Sequence, residues 1–243
     1  MNLASYNKAV RDSAERFAKE TGPWEHEEHL PYGHLGPRRI VTDRPHQMTI
    51  LHDDGLFRDV RFMSPDHSSY WFELITTPGA LTFRGDGESF VFAREYDMFG
   101  FFRSSSKSIN PTYWSEKLTS ARGAAFEYDE ESLRAQVWEY VRNYGGRYRG
   151  LAKAVQAHFF DDWADYNFHN ETEARAGLNA FSYTPDESLK PFAYIEQAPF
   201  TFGETWEWDF KGFDWWFLWA CHAIVWGIAR YDEAKQAAEA VAA

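Results

Sequence analysis

The chain has almost no cysteine. Cys221 stands alone among 243 residues, so no intrachain disulfide can form and paired-cysteine zinc ribbons are excluded. A reducing compartment fits that composition. Positive charge is also scarce: 25 Lys and Arg face 37 Asp and Glu, for a net charge of −12. General nucleic-acid binding is therefore not expected, because affinity for a phosphate backbone needs clustered cations. The acids are spread along the chain, which argues against a mimic of nucleic acid. The run MNLASYNKAVRDSAERF carries charges where a signal peptide needs an apolar stretch, so export is not expected. No run suits a membrane either. The most apolar segment, FDWWFLWACHAIVWGIA, falls short of the roughly 20 residues a span requires and contains Asp214 and His222. There is no Gly-x-Ser-x-Gly elbow, and Cys221 sits where a thiol is inert packing.

What the chain does have is rings. Aromatic residues make up 19% of it, with 21 Phe, 13 Tyr and 11 Trp. That much ring surface excludes disorder. It fills a core, and Trp and Tyr left outside it offer binding area with one polar handle.

Periodicity then sets the expected elements. Leu3, Tyr6, Val10, Ala14 and Phe17 recur at helical steps, predicting an amphipathic helix from Leu3 to Lys19, stopped by Thr21-Gly22-Pro23. Residues 22–46, rich in Pro, Gly and His, are expected to form an ordered loop. Strand-like runs follow, punctuated by Asp53-Asp54-Gly55, Pro78-Gly79 and Gly85-Asp86-Gly87. Asn110-Pro111 predicts a capped helix start. Asp129 to Tyr144 reads as a helix with acids in its first turn and Gly145 at its end. A further helix is expected from about Arg149 to Trp163, and alternation in FTFGETWEWDF predicts a strand that puts Trp206, Trp208 and Phe210 on one face. The segment after Asp214 reads as a central buried helix with an alanine-rich polar tail projecting beyond the core. The expected fold is α+β, one domain over residues 1–243: an antiparallel β-meander of about five strands at residues 46–94, packed against several helices that include a long buried C-terminal one.

The run YWFELITTPGALTFRGDGESFVFAREYDMFGFF joins an aromatic strand, Thr76 to Gly79, Gly85-Asp86, Val91-Phe92-Arg94 and Asp97-Met98-Phe99. With INPTYWSEKL and FLWACHAIVWGIARYD, it resembles a family of uncharacterised bacteriophage and prophage proteins over most of residues 57–232. The resemblance implies a phage gene acting in the cytoplasm of a bacterial cell. It carries no activity and no site residues.

Four groups of residues are candidates for chemistry. Arg84-Gly85-Asp86 spells the tripeptide that integrins recognise, but two β-rich runs around Gly-Asp-Gly predict a hairpin turn with glycine at positive φ, and a phosphate loop would open a helix instead. Arg84 and Asp86 there could meet a ligand or partner. His158, Asp162, Asp165 and His169 would share one face if their helix continued, and could then hold a divalent metal. His26, His29 and His34, in and after HEEH, lack the helical spacing of a zinc-protease motif, so a solvated acidic loop is the default. Trp206 and Trp208 could form a stacking shelf for bases or sugars. No cofactor is expected, with a divalent metal as the alternative. These readings converge on a binding protein that inhibits a host bacterial factor, such as a defence system, through an acidic and aromatic surface. The alternatives are a nucleotide-like small-molecule binder or sponge, and a metal-dependent hydrolase.

Overall fold

The structure is a computed structural model that describes residues 3–29, 38–103, 108–120, 122–161, 170–185 and 198–242. In chain order its elements are α1 (Leu3–Thr21), β1 (Trp24–His29), β2 (Arg38–Asp43), β3 (Gln47–Asp54), β4 (Phe57–Met63), β5 (Phe72–Thr77), β6 (Ala80–Gly85), β7 (Phe90–Phe92), α2 (Met98–Phe102), α3 (Pro111–Ser115), β8 (Phe126–Tyr128), α4 (Glu130–Tyr144), α5 (Leu151–Phe159), α6 (Glu171–Ala180), β9 (Lys211–Phe213) and α7 (Trp215–Ala242). The chain divides into two compact units. One comprises Met1–Tyr6 and Glu127–Gly212, the other Asn7–Phe126 and Phe213–Ala243.

The larger unit is built on the meander. Strands β3 to β7 form a five-stranded antiparallel sheet in sequence order. Two-residue loops set its register. Gly55-Leu56 joins Asp54 to Phe57, with Gly55 at φ +60°, and Pro78-Gly79 joins Thr77 to Ala80, with Gly79 at φ +86°. Proline first and glycine second is the type II arrangement. One face of the sheet takes Val60, Phe62, Phe72, Leu74, Leu81, Phe83, Phe90 and Phe92, all fully buried. Burying each such ring or aliphatic side chain contributes about 1.5–3 kcal/mol.

Helix α7 covers that face. Phe72 meets Trp219 edge-on at 5.6 Å, Phe62 meets Trp226 at 5.3 Å, and Phe90 meets Phe217 at 5.3 Å. Asp214 caps the helix by accepting from the Phe217 N–H at 2.9 Å. Burial runs from Trp216 to Tyr231, and the residues from Lys235 onward are exposed, so the tail projects as its composition predicts. Arg58, only 9% exposed, ties β4 to α2: it bonds Asp97 at 2.9 Å, and Asp97 in turn caps α2 at Phe99. The free side of β7 is closed by backbone bonds from Ala93 to Lys117 and from Thr119 to Val91.

Residues 22–46 are not the expected loop. They contain the antiparallel ribbon β1–β2, in which Glu28 faces Arg39 and Glu27 reaches Arg38 at 2.8 Å. Cross-strand charge pairing supplies what apolar alternation does not.

In the smaller unit, Asp129 caps α4 by accepting from Glu131 and Ser132 N–H groups, and Asn170 caps α6 by accepting from Glu173 at 2.9 Å. Its core is Leu133, Val137, Leu151, Val155, Phe159, Ala174, Leu178, Phe181, Phe200, Phe202 and Phe210. Helix α5 stops at Phe159, with Phe160 leaving helical backbone at φ −130°, short of the expected end at Trp163. Thr205–Glu207 is a single 3₁₀ turn and not a strand. Arg175 is the reason: its guanidinium donates to the carbonyls of Thr205 and Trp208, at 2.6 and 2.9 Å, and lies over the Phe210 ring. Those carbonyls are then unavailable to a strand partner.

Candidate functional site

The connection from β4 to β5 spans residues 64–71, whereas the neighbouring hairpins need two residues each. Long connections in a tight sheet carry function more often than short ones. At its end sits Tyr70, a bulky residue with φ +59°. A left-handed backbone at such a residue costs about 1–3 kcal/mol and persists only where its surroundings hold it. Here both backbone groups are held. The Tyr70 N–H donates to Asp86 Oδ2 at 3.0 Å, and the Tyr70 carbonyl lies 3.0 Å from His46 Nε2.

Tyr70 lines a cavity of about 740 Å³ with Arg16, Glu20, Trp24, His67 and Ser69, which Asp12, Glu15 and Lys19 complete. That volume is within the range of small-molecule sites. Helix α1 supplies the charged wall at steps of one helical turn. Arg16 is fixed in two ways: it bonds Glu20 at 2.8 Å and lies 3.6 Å over the ring of Trp215. Burial pulls the Arg16 pKa down, but the neighbouring Glu20 and Tyr70 side chains outweigh it and raise it, so the cation is permanent. Trp24 stacks on His26 at 5.0 Å and meets His67 edge-on at 5.9 Å, and His67 in turn contacts His46 at 5.9 Å. Burial, and secondarily His67, lowers the His46 pKa, which keeps the imidazole neutral at physiological pH. With Nε2 donating to Tyr70, His46 Nδ1 is an acceptor, and it has no partner among the described residues. Below this group, Arg44 grips Asp66 through both its backbone and its guanidinium and pulls the Asp66 carboxyl down to about 2.

The Arg-Gly-Asp stretch serves this loop. Arg84 pairs with Glu73, which is 0% exposed and bonded from its other side by Arg61. Both guanidinia stand about 6 Å from the Trp71 ring, Arg61 at 5.7 Å and Arg84 at 6.0 Å. Asp86 clamps Tyr70. The expected positive φ at Gly85 is not found; among the described residues, those with positive φ are Gly55, Tyr70, Gly79, Gly150 and Glu204. What Gly85 provides is space. A Cβ there would stand 3.2 Å from Phe72 Cα and closer still to the Trp71 carbonyl oxygen. Gly87 does the same against the Trp216 ring.

The other sequence candidates separate. Trp206 is 73% exposed on its 3₁₀ turn, while Trp208 packs on Tyr140 at 5.3 Å and Phe202 at 5.8 Å, so the two rings do not share a strand face. His158 closes α5 against Phe159 and Phe181; since that helix ends at Phe159, the single metal-binding face it was to share is not formed by one continuous helix. Asp162, Asp165 and His169 lie outside the described residues, as does His34. His26 sits 3.6 Å from Asp43 on the ribbon, and no group of three or more metal-ligating side chains occurs among the described residues. None of the described helices is long and apolar enough to cross a membrane. Comparison with known proteins finds no matching family model, no matching curated protein and no matching solved structure.

Proposed function

We propose that the protein is a binding protein whose ligand is a small ring-bearing molecule held in the cavity beside Tyr70. The observation that carries this reading is a strained residue, clamped through both its backbone groups, on the wall of a cavity of about 740 Å³. Strain of that kind is retained where it pre-organises a site. Trp24 and Tyr70 supply ring faces, and Arg16, Glu20 and His67 supply hydrogen-bonding groups. Three carboxylates and two cations line the wall, a mixture that does not select for phosphate and so narrows the nucleotide-like alternative to its ring. Native mass spectrometry of the protein purified gently from bacterial lysate tests this. A small added mass, lost in Tyr70→Ala, supports it. A bare chain, together with no thermal shift across a metabolite library, defeats it.

A second reading keeps the inhibitor of a host bacterial factor, encoded by a phage and acting in the host cytoplasm. It is favoured by Trp206, 73% exposed between Glu204 and Glu207, an aromatic anchor in an acidic rim. A stoichiometric host-protein complex that weakens with salt and is lost in Trp206→Ala is the expected result.

A further inference from the structure

The smaller unit carries a second concave surface that the cavity beside Tyr70 does not use. Along α4, two adjoining hollows share Tyr140, Asn143 and Tyr144. One, of about 430 Å³, continues to Arg147, Tyr148 and Thr201; the other, of about 190 Å³, continues to Gln136, Glu139 and Trp208. Together they form one groove following a helical stripe that, from Gln136 to Tyr144, runs about 12 Å at 1.5 Å per residue.

Its rings adjoin one another, each tilted to the next, by 36° between Tyr140 and Tyr144 and by 46° between Tyr140 and Trp208. Tyr144 lies 4.5 Å from Tyr140, and Tyr140 lies 5.3 Å from Trp208. The Tyr140 hydroxyl accepts from the Gly203 N–H at 3.0 Å, and the Tyr148 hydroxyl donates to the Ala198 carbonyl at 3.1 Å. Trp208 is held through its carbonyl by Arg175. Tyr144, 62% exposed, is the open member of the row. Between the rings stand Asn143, Glu139 and Arg147, whose side chains make no hydrogen bond or ion pair among the described residues.

We propose that this groove binds a neutral oligosaccharide. Tyrosine and tryptophan faces carry the negative side of the ring quadrupole and attract the C–H face of a sugar ring. The amide of Asn143, the carboxylate of Glu139 and the guanidinium of Arg147 offer both donors and acceptors to hydroxyls. Charge selects against the other stacking ligand: the lining holds one anion and one cation, whereas a single-stranded nucleic-acid groove lines its track with cations.

The test is isothermal titration calorimetry of the full chain against neutral oligomers of glucose and of N-acetylglucosamine, with oligothymidylate as the competing probe. Saturable binding of at least one neutral oligomer is expected, weakened about tenfold in Tyr144→Ala, as loss of one stacking ring implies. Because Tyr144 is exposed, that variant folds, which circular dichroism verifies. Tyr96→Ala, 73% exposed in the other unit, should bind as the wild type does. No binding of any neutral oligomer, full affinity in Tyr144→Ala, or a preference for oligothymidylate would each overturn the proposal.

Discussion

The two units hold their rings by different means. In the larger one, Phe62, Phe72, Phe83 and Phe90 come from strands with a period of two, and the backbone ladder places them beneath α7. In the smaller one, Phe200, Phe202, Trp208 and Phe210 come from a stretch with little regular structure. There the backbone is pinned by side chains: Arg175 on Thr205 and Trp208, Tyr140 on Gly203, Tyr148 on Ala198. A ladder distributes its hold over many bonds, so it fails only where a residue cannot fit. A pinned segment fails when one pin is lost.

The sharpest way to break the ladder is therefore volume. Gly85→Ala places a methyl against the backbone of Trp71 and Phe72, atoms that no rotamer change can move. It is expected to cost about 3 kcal/mol, read as a lower urea midpoint. Hydrogen exchange should quicken first at the amides around Tyr70 and Asp86. An unchanged midpoint would show that the β6–β7 turn gives way, and that the loop is looser than the clamp on Tyr70 implies.

The corresponding break in the smaller unit is Arg175→Ala. It removes two charged bonds to carbonyls and the contact with Phe210, and should cost about 2 kcal/mol. Exchange should rise at residues 205–210 while the amides of β5 keep their protection. Equal loosening of both regions would dissolve the contrast. Glu73→Gln belongs between the two classes: it sits on the ladder but acts as a pin for Arg61 and Arg84. Both arginines are partly solvated, so the expected loss is about 1–2 kcal/mol, read from the same urea midpoint; a larger loss would mean that they depend on Glu73 for their place beside Trp71.

This difference also decides what could be read from sequence. The meander and α7 were legible because glycine turns and periodic apolar residues act locally. The turn at Trp206 and Trp208 was not, because alternation there is overridden by Arg175, thirty positions earlier in the chain for Thr205. The ribbon in residues 22–46 was hidden because its pairing is carried by charges. Of the cavity, only the long connection at residues 64–71 left a local trace. Arg16, Trp24 and Tyr70 meet through the fold, and nothing in their spacing announces it.

The smallest expected effect is a pH dependence confined to the larger unit. His46 and His222 both have lowered pKa values, in each case chiefly through burial. A buried imidazole with a folded pKa below its unfolded value, near 6.5, binds fewer protons in the fold than in the unfolded chain. Stability from these groups is thus fully present above about pH 6.5 and is lost as pH falls through their folded values. Over that window carboxylates such as Asp66, with a pKa of about 2, stay ionised and contribute no slope. Urea midpoints should therefore fall between about pH 7.5 and about pH 5.5, and His46→Gln should flatten the decline. The amides of β5 should lose protection over that interval before those of α4 do. Loss in α4 first would place the acid-sensitive contact among the pinned rings, and His46 and His222 would then have no part in it.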